Sequence, residues 1–175
     1  MSRFKKSGSQ ILITLADYEE AVLESMVEQL IELLEGDGVR PATDDPFAQW
    51  EADMAEPNGL DTSDPVVARL FPPAYRDDPK ADQEFRRFTE TAQRRTRIEQ
   101  ANTVLSALME TNAGRDPVLV RRIEAEAWLK TIAAIRLSLS VRLGIETADD
   151  LEALEQLDDD EARSVLYGMY EWFGY

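Results

Sequence analysis

Hydrophobic residues between positions 123 and 145 recur at helical spacing. They follow one another at intervals of three and four residues: Trp128, Ile132, Ile135, Leu139 and Leu143. Other apolar residues lie off this stripe, which is typical of a helix packed by several neighbours. Gly144 then provides a stop signal, because a left-handed residue commonly ends a helix. The pattern predicts a central helix near residues 122–143.

The N-terminal residues follow a different pattern. Short extended stretches flank the turn-forming sequence Lys6-Ser7-Gly8-Ser9, which predicts a small β-hairpin within residues 3–14. A lone hairpin is only marginally stable, so it should pack on the helices or pair with a third strand. Residues 118–120 are the one later candidate strand.

Helix-start signals divide the remaining chain. They stand at three places: the capping-box spacing Asp17 to Glu20, the N-cap pair Asp64 and Pro65, and the capping-box spacing Thr147 to Asp150. Together with the apolar spacing, they predict a mainly α fold. We expect a single-domain helical bundle over residues 1–175, with the small N-terminal β-hairpin beside it.

Residues 36–62 form an acidic loop or linker within that predicted domain. A loop of this length inside a compact domain is usually functional or disordered. Phe47 and Trp50 give this one an aromatic pair, which can dock on a partner or pack on the protein's own core. Both residues are therefore candidate partner-binding residues.

A long helix is predicted over residues 79–112. Its two apolar stripes are out of phase across residues 89–97, which predicts a bend or a polar mid-section that projects past the core. Five arginines lie in or near this section: Arg86, Arg87, Arg94, Arg95 and Arg97. Arginine favours bidentate contacts with carboxylate or phosphate, so they are candidate partner-binding residues. Ion pairs at i,i+4 spacing on a solvated helix face are the alternative.

Charge and composition narrow the function classes. The net charge is −16, but residues 79–145 carry twelve Lys and Arg against eight Asp and Glu. Because the chain as a whole is strongly negative, direct nucleic-acid binding is expected to be absent or weak despite this basic middle section. The chain has no cysteine and no histidine, which excludes thiol nucleophiles, histidine bases and the commonest metal ligands. No cofactor is expected, and no stretch is long and apolar enough for a membrane span.

Two stretches resemble a known family. The first runs from Asp64 to Asp78 and continues from Glu84 to Glu90, and the second combines Ala127-Trp128-Leu129 with Ile135-Arg136-Leu137 and residues 142–145. They resemble an actinobacterial domain-of-unknown-function family that is often encoded beside the ClpS proteolytic adaptor. This family includes the oxidative-stress transcriptional regulator AosR.

The resemblance implies a cytoplasmic, mainly helical regulator that acts with the transcription machinery during oxidative stress. We expect it to be non-enzymatic and to bind a protein such as a sigma factor or polymerase. Redox sensing in the regulator branch is attributed to paired cysteines, and this chain has none. The alternatives are an accessory role in Clp-dependent proteolysis and a structural or interaction protein. The oligomeric state stays open, with a homodimer as one option.

Overall fold

The computed structural model describes residues 4–36, 61–112, 114–156 and 162–174. Within these ranges the helices are α1 (Asp17–Glu35), α2 (Pro65–Leu70), α3 (Pro79–Met109), α4 (Ala125–Leu143), α5 (Ala148–Glu155) and α6 (Ala162–Trp172). The strands are β1 (Phe4–Ser7), β2 (Gln10–Ile13) and β3 (Val118–Arg121), and a 3₁₀ turn at Arg122–Glu124 leads into α4. The predicted mainly α fold is confirmed.

The three strands form one antiparallel sheet in the order β1-β2-β3. The hairpin pairs Ser7 with Gln10, and β2 pairs with β3 from Gln10 opposite Arg121 to Ile13 opposite Val118. Val118 and Val120 are buried. The predicted hairpin is therefore present, and the later β-prone stretch supplies its third strand.

The predicted cap signals account for three helix ends, the starts of α2 and α5 and the end of α4. The Asp64 carboxylate accepts from the Val66 N–H at 2.7 Å, and the Asp150 carboxylate accepts from the Thr147 N–H at 2.7 Å. Gly144 adopts φ 73° and ψ 32°, and the following N–H, of Ile145, donates to the Ser140 carbonyl at 2.9 Å. This is the Schellman arrangement.

The start of α1 differs from the prediction by one residue. The N-cap is Ala16, and its backbone N–H donates to the Glu19 carboxylate at 2.9 Å. Asp17 is the first residue of the helix, and Glu20 instead accepts from the Thr111 hydroxyl at 2.5 Å. Alanine has no capping oxygen, so only the half of the capping box supplied by Glu19 forms.

Helix α4 packs against α1, α2, α3 and α6, as expected for a central helix. Its buried residues meet those of α1 in one hydrophobic core, and Trp128 is 7% exposed. The side chain of Arg163 in α6 donates to the Leu143 carbonyl at 2.8 Å, where α4 ends. The single-domain organisation over residues 1–175 stays a prediction.

Candidate functional site

One face of α3 contacts the interior from end to end. Its residues follow one another at intervals of three and four: Arg86, Glu90, Arg94, Arg97, Ala101, Val104 and Leu108. The last three are buried apolar residues of the core. The N-terminal half of the same face is charged, and α3 is helical without interruption across the junction.

Arg94 is the most deeply buried of these charged residues, at 1% exposure. Its Nε donates to the Leu34 carbonyl at 2.9 Å, and its Nη2 donates to the Glu35 carbonyl at 2.6 Å. These carbonyls end α1, whose last turn contains no basic residue of its own. A helix end leaves its last carbonyls without intrahelical donors, so Arg94 acts as a cap supplied by another helix.

Burial lowers the pKa of the Arg94 guanidinium, and the Glu90 carboxylate acts in the opposite direction. The closest approach between these two side chains is 3.9 Å. This is a loose ion pair, and the carbonyl contacts of Arg94 are shorter and more direct. Arg94 is therefore held chiefly by the end of α1.

Arg86 and Arg97 cap α2 in the same way. The Nη2 atom of Arg86 donates to the Phe71 carbonyl at 2.7 Å, and that of Arg97 donates to the Leu70 carbonyl at 3.2 Å. The Arg97 guanidinium also lies over the Phe71 ring, 5.2 Å from its centroid. Helix α2 is only six residues long, so these contacts fix where its C-terminal end lies on α3.

Asp82 fixes the segment between α2 and α3. Its carboxylate accepts from the Arg86 Nε at 2.9 Å and from the backbone N–H groups of Ala74 and Tyr75 at 2.7 and 3.3 Å. Burial tends to raise the pKa of this carboxyl. The three hydrogen bonds and the charge of Arg86 outweigh that effect and leave the pKa below its ordinary value of 3.8.

The five predicted partner-binding arginines thus fall in different environments. Arg87 is exposed, Arg86, Arg95 and Arg97 are partly buried, and Arg94 lies in the interior. The expectation that this polar section projects past the core is wrong, because backbone carbonyls of α1 and α2 hold it inward. Phe47 and Trp50, and most of the 36–62 loop, lie outside the described residues.

Aromatic side chains occupy the outward side of the same part of α3. Phe88 is 66% exposed and Phe85 38% exposed, and Tyr75 packs edge-on against Phe85 with the ring centroids 5.9 Å apart. We call Tyr75, Phe85 and Phe88 the aromatic face. Arg86, Arg94 and Arg97 therefore point inward here, while Phe85 and Phe88 point outward, which reverses the usual distribution.

An open groove of about 530 Å³ lies beside this helix. We call it the α3–α4 groove, and its lining comes from α2, α3 and α4: Leu70, Ala92, Gln93, Thr96, Arg97, Gln100, Lys130, Ala133, Ala134 and Leu137. Ala92 lies one helical turn after Phe88, so the groove continues from the aromatic face along α3. Lys130 pairs with Glu126 at 3.2 Å.

The α4 side of this groove was not predicted from sequence. Lys130, Ala133 and Leu137 belong to the stretch interpreted as the core helix, yet Lys130 and Ala133 are exposed. Leu129 beside them is 72% exposed. The sequence does show an excess of apolar residues off the main stripe of α4, which could indicate an exposed apolar surface. The same excess is typical of a helix packed by several neighbours.

The fold is mainly α with a small antiparallel sheet, and the site combines an open groove with the exposed aromatic face beside it. The chain belongs to the DUF2017 family, a domain of unknown function, whose family model matches residues 1–175. No curated protein and no solved structure matches the chain. Over the ranges that the structure describes, no helix has the length and apolar character needed to cross a membrane.

Proposed function

We propose that this protein is a non-enzymatic regulator that binds another protein through the aromatic face and the α3–α4 groove. The observation that carries the proposal is the reversed distribution on α3, where Arg86, Arg94 and Arg97 point inward and Phe85 and Phe88 outward. An aromatic side chain such as Phe88, which is 66% exposed, gains little burial from its own fold. Contiguous exposed apolar surface of this kind commonly marks an interaction site.

The shape of the site supports a protein partner. Aromatic side chains are enriched among the residues that dominate binding free energy, and an open groove between helices can accept an amphipathic segment. The groove volume lies within the range of about 300–1,000 Å³ usual for ligand sites, but the groove is open along its length. A partner chain would cover both the groove and the adjoining phenyl rings.

Charge favours a basic partner that carries an apolar segment. Helix α1 contains seven Asp and Glu and neither Lys nor Arg, and its exposed side presents Glu28, Glu32 and Glu35. Complementary charge accelerates encounter and orients the partners more than it increases affinity. Together with the family resemblance, this supports a sigma factor or polymerase as the partner. The chain has no cysteine, so no thiol switch is proposed.

A pull-down from host lysate with Phe88→Ser tests the proposal. The wild-type protein should enrich a transcription protein, and recovery should fall as salt is raised. Phe88→Ser should reduce recovery at least tenfold, with an unchanged melting temperature, because central aromatic contacts each contribute about 2 kcal/mol or more. Met109→Ser is the matched control, since Met109 is 73% exposed on the same helix but far from the aromatic face.

Two outcomes would contradict the proposal: no transcription partner at low salt, or equal recovery by Phe88→Ser and the wild-type protein. Recovery of a Clp component in place of a transcription protein would support the alternative, an accessory role in proteolysis. Loss of binding in both Phe88→Ser and Met109→Ser would mean that the surface is different from the one proposed.

A further inference from the structure

Arg97 is a partly buried cation at one end of the α3–α4 groove. Among the described residues no carboxylate lies within ion-pair distance of its guanidinium, and burial lowers its pKa without an opposing charge. Its guanidinium donates to the Leu70 carbonyl and lies over the face of the Phe71 ring. A charged group that has lost part of its hydration is normally paired, so a position for an anion is left open at this end of the groove.

The surrounding side chains suit a small polar group on an apolar stem. Gln93, Thr96 and Gln100 line the same groove, and the Thr96 hydroxyl donates to the Ala92 carbonyl, which leaves its oxygen free to accept. Leu70, Ala134 and Leu137 provide the apolar part of the lining. The groove therefore combines one desolvated cation, two side-chain amides and apolar surface.

We infer that the α3–α4 groove receives an acidic side chain of the bound protein, whose carboxylate pairs with Arg97. This inference rests on the proposed function and adds to it a chemical requirement on the partner. The partner segment then carries an Asp or Glu next to the residues that contact the aromatic face. Arginine suits this role because its planar, always charged group matches a carboxylate.

The local charge fits a single carboxylate better than a phosphate or a nucleic acid. Lys130, the other cation of the groove, is already paired with Glu126. The Arg97 guanidinium, which has no carboxylate partner among the described residues, balances one negative charge, whereas a nucleic-acid backbone needs several Lys and Arg contacts. The net charge of −16 opposes a polyanion further.

Nuclear magnetic resonance titration of the full chain tests the inference with propionate, which has the side-chain chemistry of glutamate. Propionamide serves as the neutral counterpart, and sodium chloride keeps the ionic strength constant. Propionate should shift the Arg97 Nε–H signal and the side-chain amide signals of Gln93 and Gln100, and propionamide should not. Arg97→Gln should weaken propionate binding at least tenfold, whereas Arg87→Gln, which removes an exposed charge elsewhere on α3, should leave it unchanged.

Equal shifts with both probes, or propionate shifts that map outside the groove, would overturn the inference. Arg97→Gln also loses the bond to Leu70, so its melting curve is recorded alongside. If that variant does not fold, the map of propionate shifts on the wild-type protein decides the question. If Phe88→Ser abolishes recovery of the partner but the wild-type protein shows no response to propionate, this inference fails and the proposed function stands.

Discussion

The two halves of α3 meet the rest of the molecule through different chemistry on the same face. From Ala101 to Leu108 the inward residues are small or aliphatic and are almost completely buried. From Arg86 to Arg97 they are charged, and the three arginines among them donate to carbonyls that end α1 and α2. The apolar half meets helix sides, whereas the charged half meets helix ends.

The two halves of α3 differ because one packs on apolar side chains and the other contacts backbone carbonyls that need hydrogen-bond donors. The sides of α1 and α4 present apolar side chains, for which aliphatic packing is sufficient. Helix ends present carbonyls that lack donors, and an apolar residue there would leave them buried and unpaired. Because Arg86, Arg94 and Arg97 take the inward positions, the phenylalanines of this half lie outward and stay exposed.

The largest effect is expected from Arg94→Ala. This change leaves the Leu34 and Glu35 carbonyls without donors, each at a cost of about 1–3 kcal/mol, so the free energy of unfolding should fall by about 2–6 kcal/mol. Urea unfolding followed by circular dichroism measures it. Arg94→Lys should give a smaller loss, because an ammonium group can still reach one carbonyl. A loss below about 1 kcal/mol for Arg94→Ala would contradict the capping role.

Methionine in each half separates packing from hydrogen bonding. Leu108→Met keeps volume and apolar character and should cost less than about 1.5 kcal/mol of unfolding free energy. Arg94→Met keeps much of the volume but donates no hydrogen bond, so it should cost about 2 kcal/mol or more. If both substitutions lower the free energy of unfolding equally in the urea titration, the two halves of α3 do not differ in how they contact the rest of the protein.

Substitution of the adjacent residues Arg86 and Arg87 compares an inward with an exposed arginine, and the expected effect on stability is smaller. Arg86→Ala removes charge-assisted contacts to Phe71 and Asp82 and should lower the free energy of unfolding by about 1.5–3 kcal/mol. Arg87→Ala removes the same charge from an exposed position and should change it by less than about 0.5 kcal/mol. If both substitutions lower the free energy of unfolding by the same amount, the inward orientation of Arg86 does not contribute to stability.

The smallest effect is a pH dependence at Asp82. Because its pKa is lowered in the folded protein, its charge contributes stability above the ordinary value of 3.8, and this contribution is lost as the pH falls through the folded pKa. Asp82→Asn should therefore be less stable than wild type at neutral pH, and the difference should shrink on acidification. Asp77→Asn controls for net charge. A difference that is constant with pH would contradict the assignment.

Local signals were sufficient for the fold class and for several helix ends. Asp64, Thr147 and Gly144 act within a few residues of themselves, and each was found where the sequence placed it. The third strand at Val118–Arg121 also followed from local composition. At Ala16 the motif rule failed by one residue, because it seeks a capping side chain and the helix begins without one.

The orientation of α3 was beyond local signals. Arg94 lies 60 residues from Leu34 and Arg97 27 residues from Leu70, so nothing near them in sequence identifies their acceptors. Phe85, Phe88 and Ala92 recur at helical spacing, and that spacing alone does not show whether their side of the helix packs inward or faces solvent. The groove was missed for a related reason, since it exists only where α3 and α4 meet.

The arginine caps also bear on the order of folding. The C-terminal carbonyls of α1, α2 and α4 each accept a hydrogen bond from an arginine of another helix. For α4 this arginine is Arg163. A last turn that needs a distant partner is expected to fray until the chain has closed a long loop. Substitutions at Arg94 and Arg163 should then accelerate unfolding and leave the refolding rate nearly unchanged, as is typical of positions with φ-values near zero.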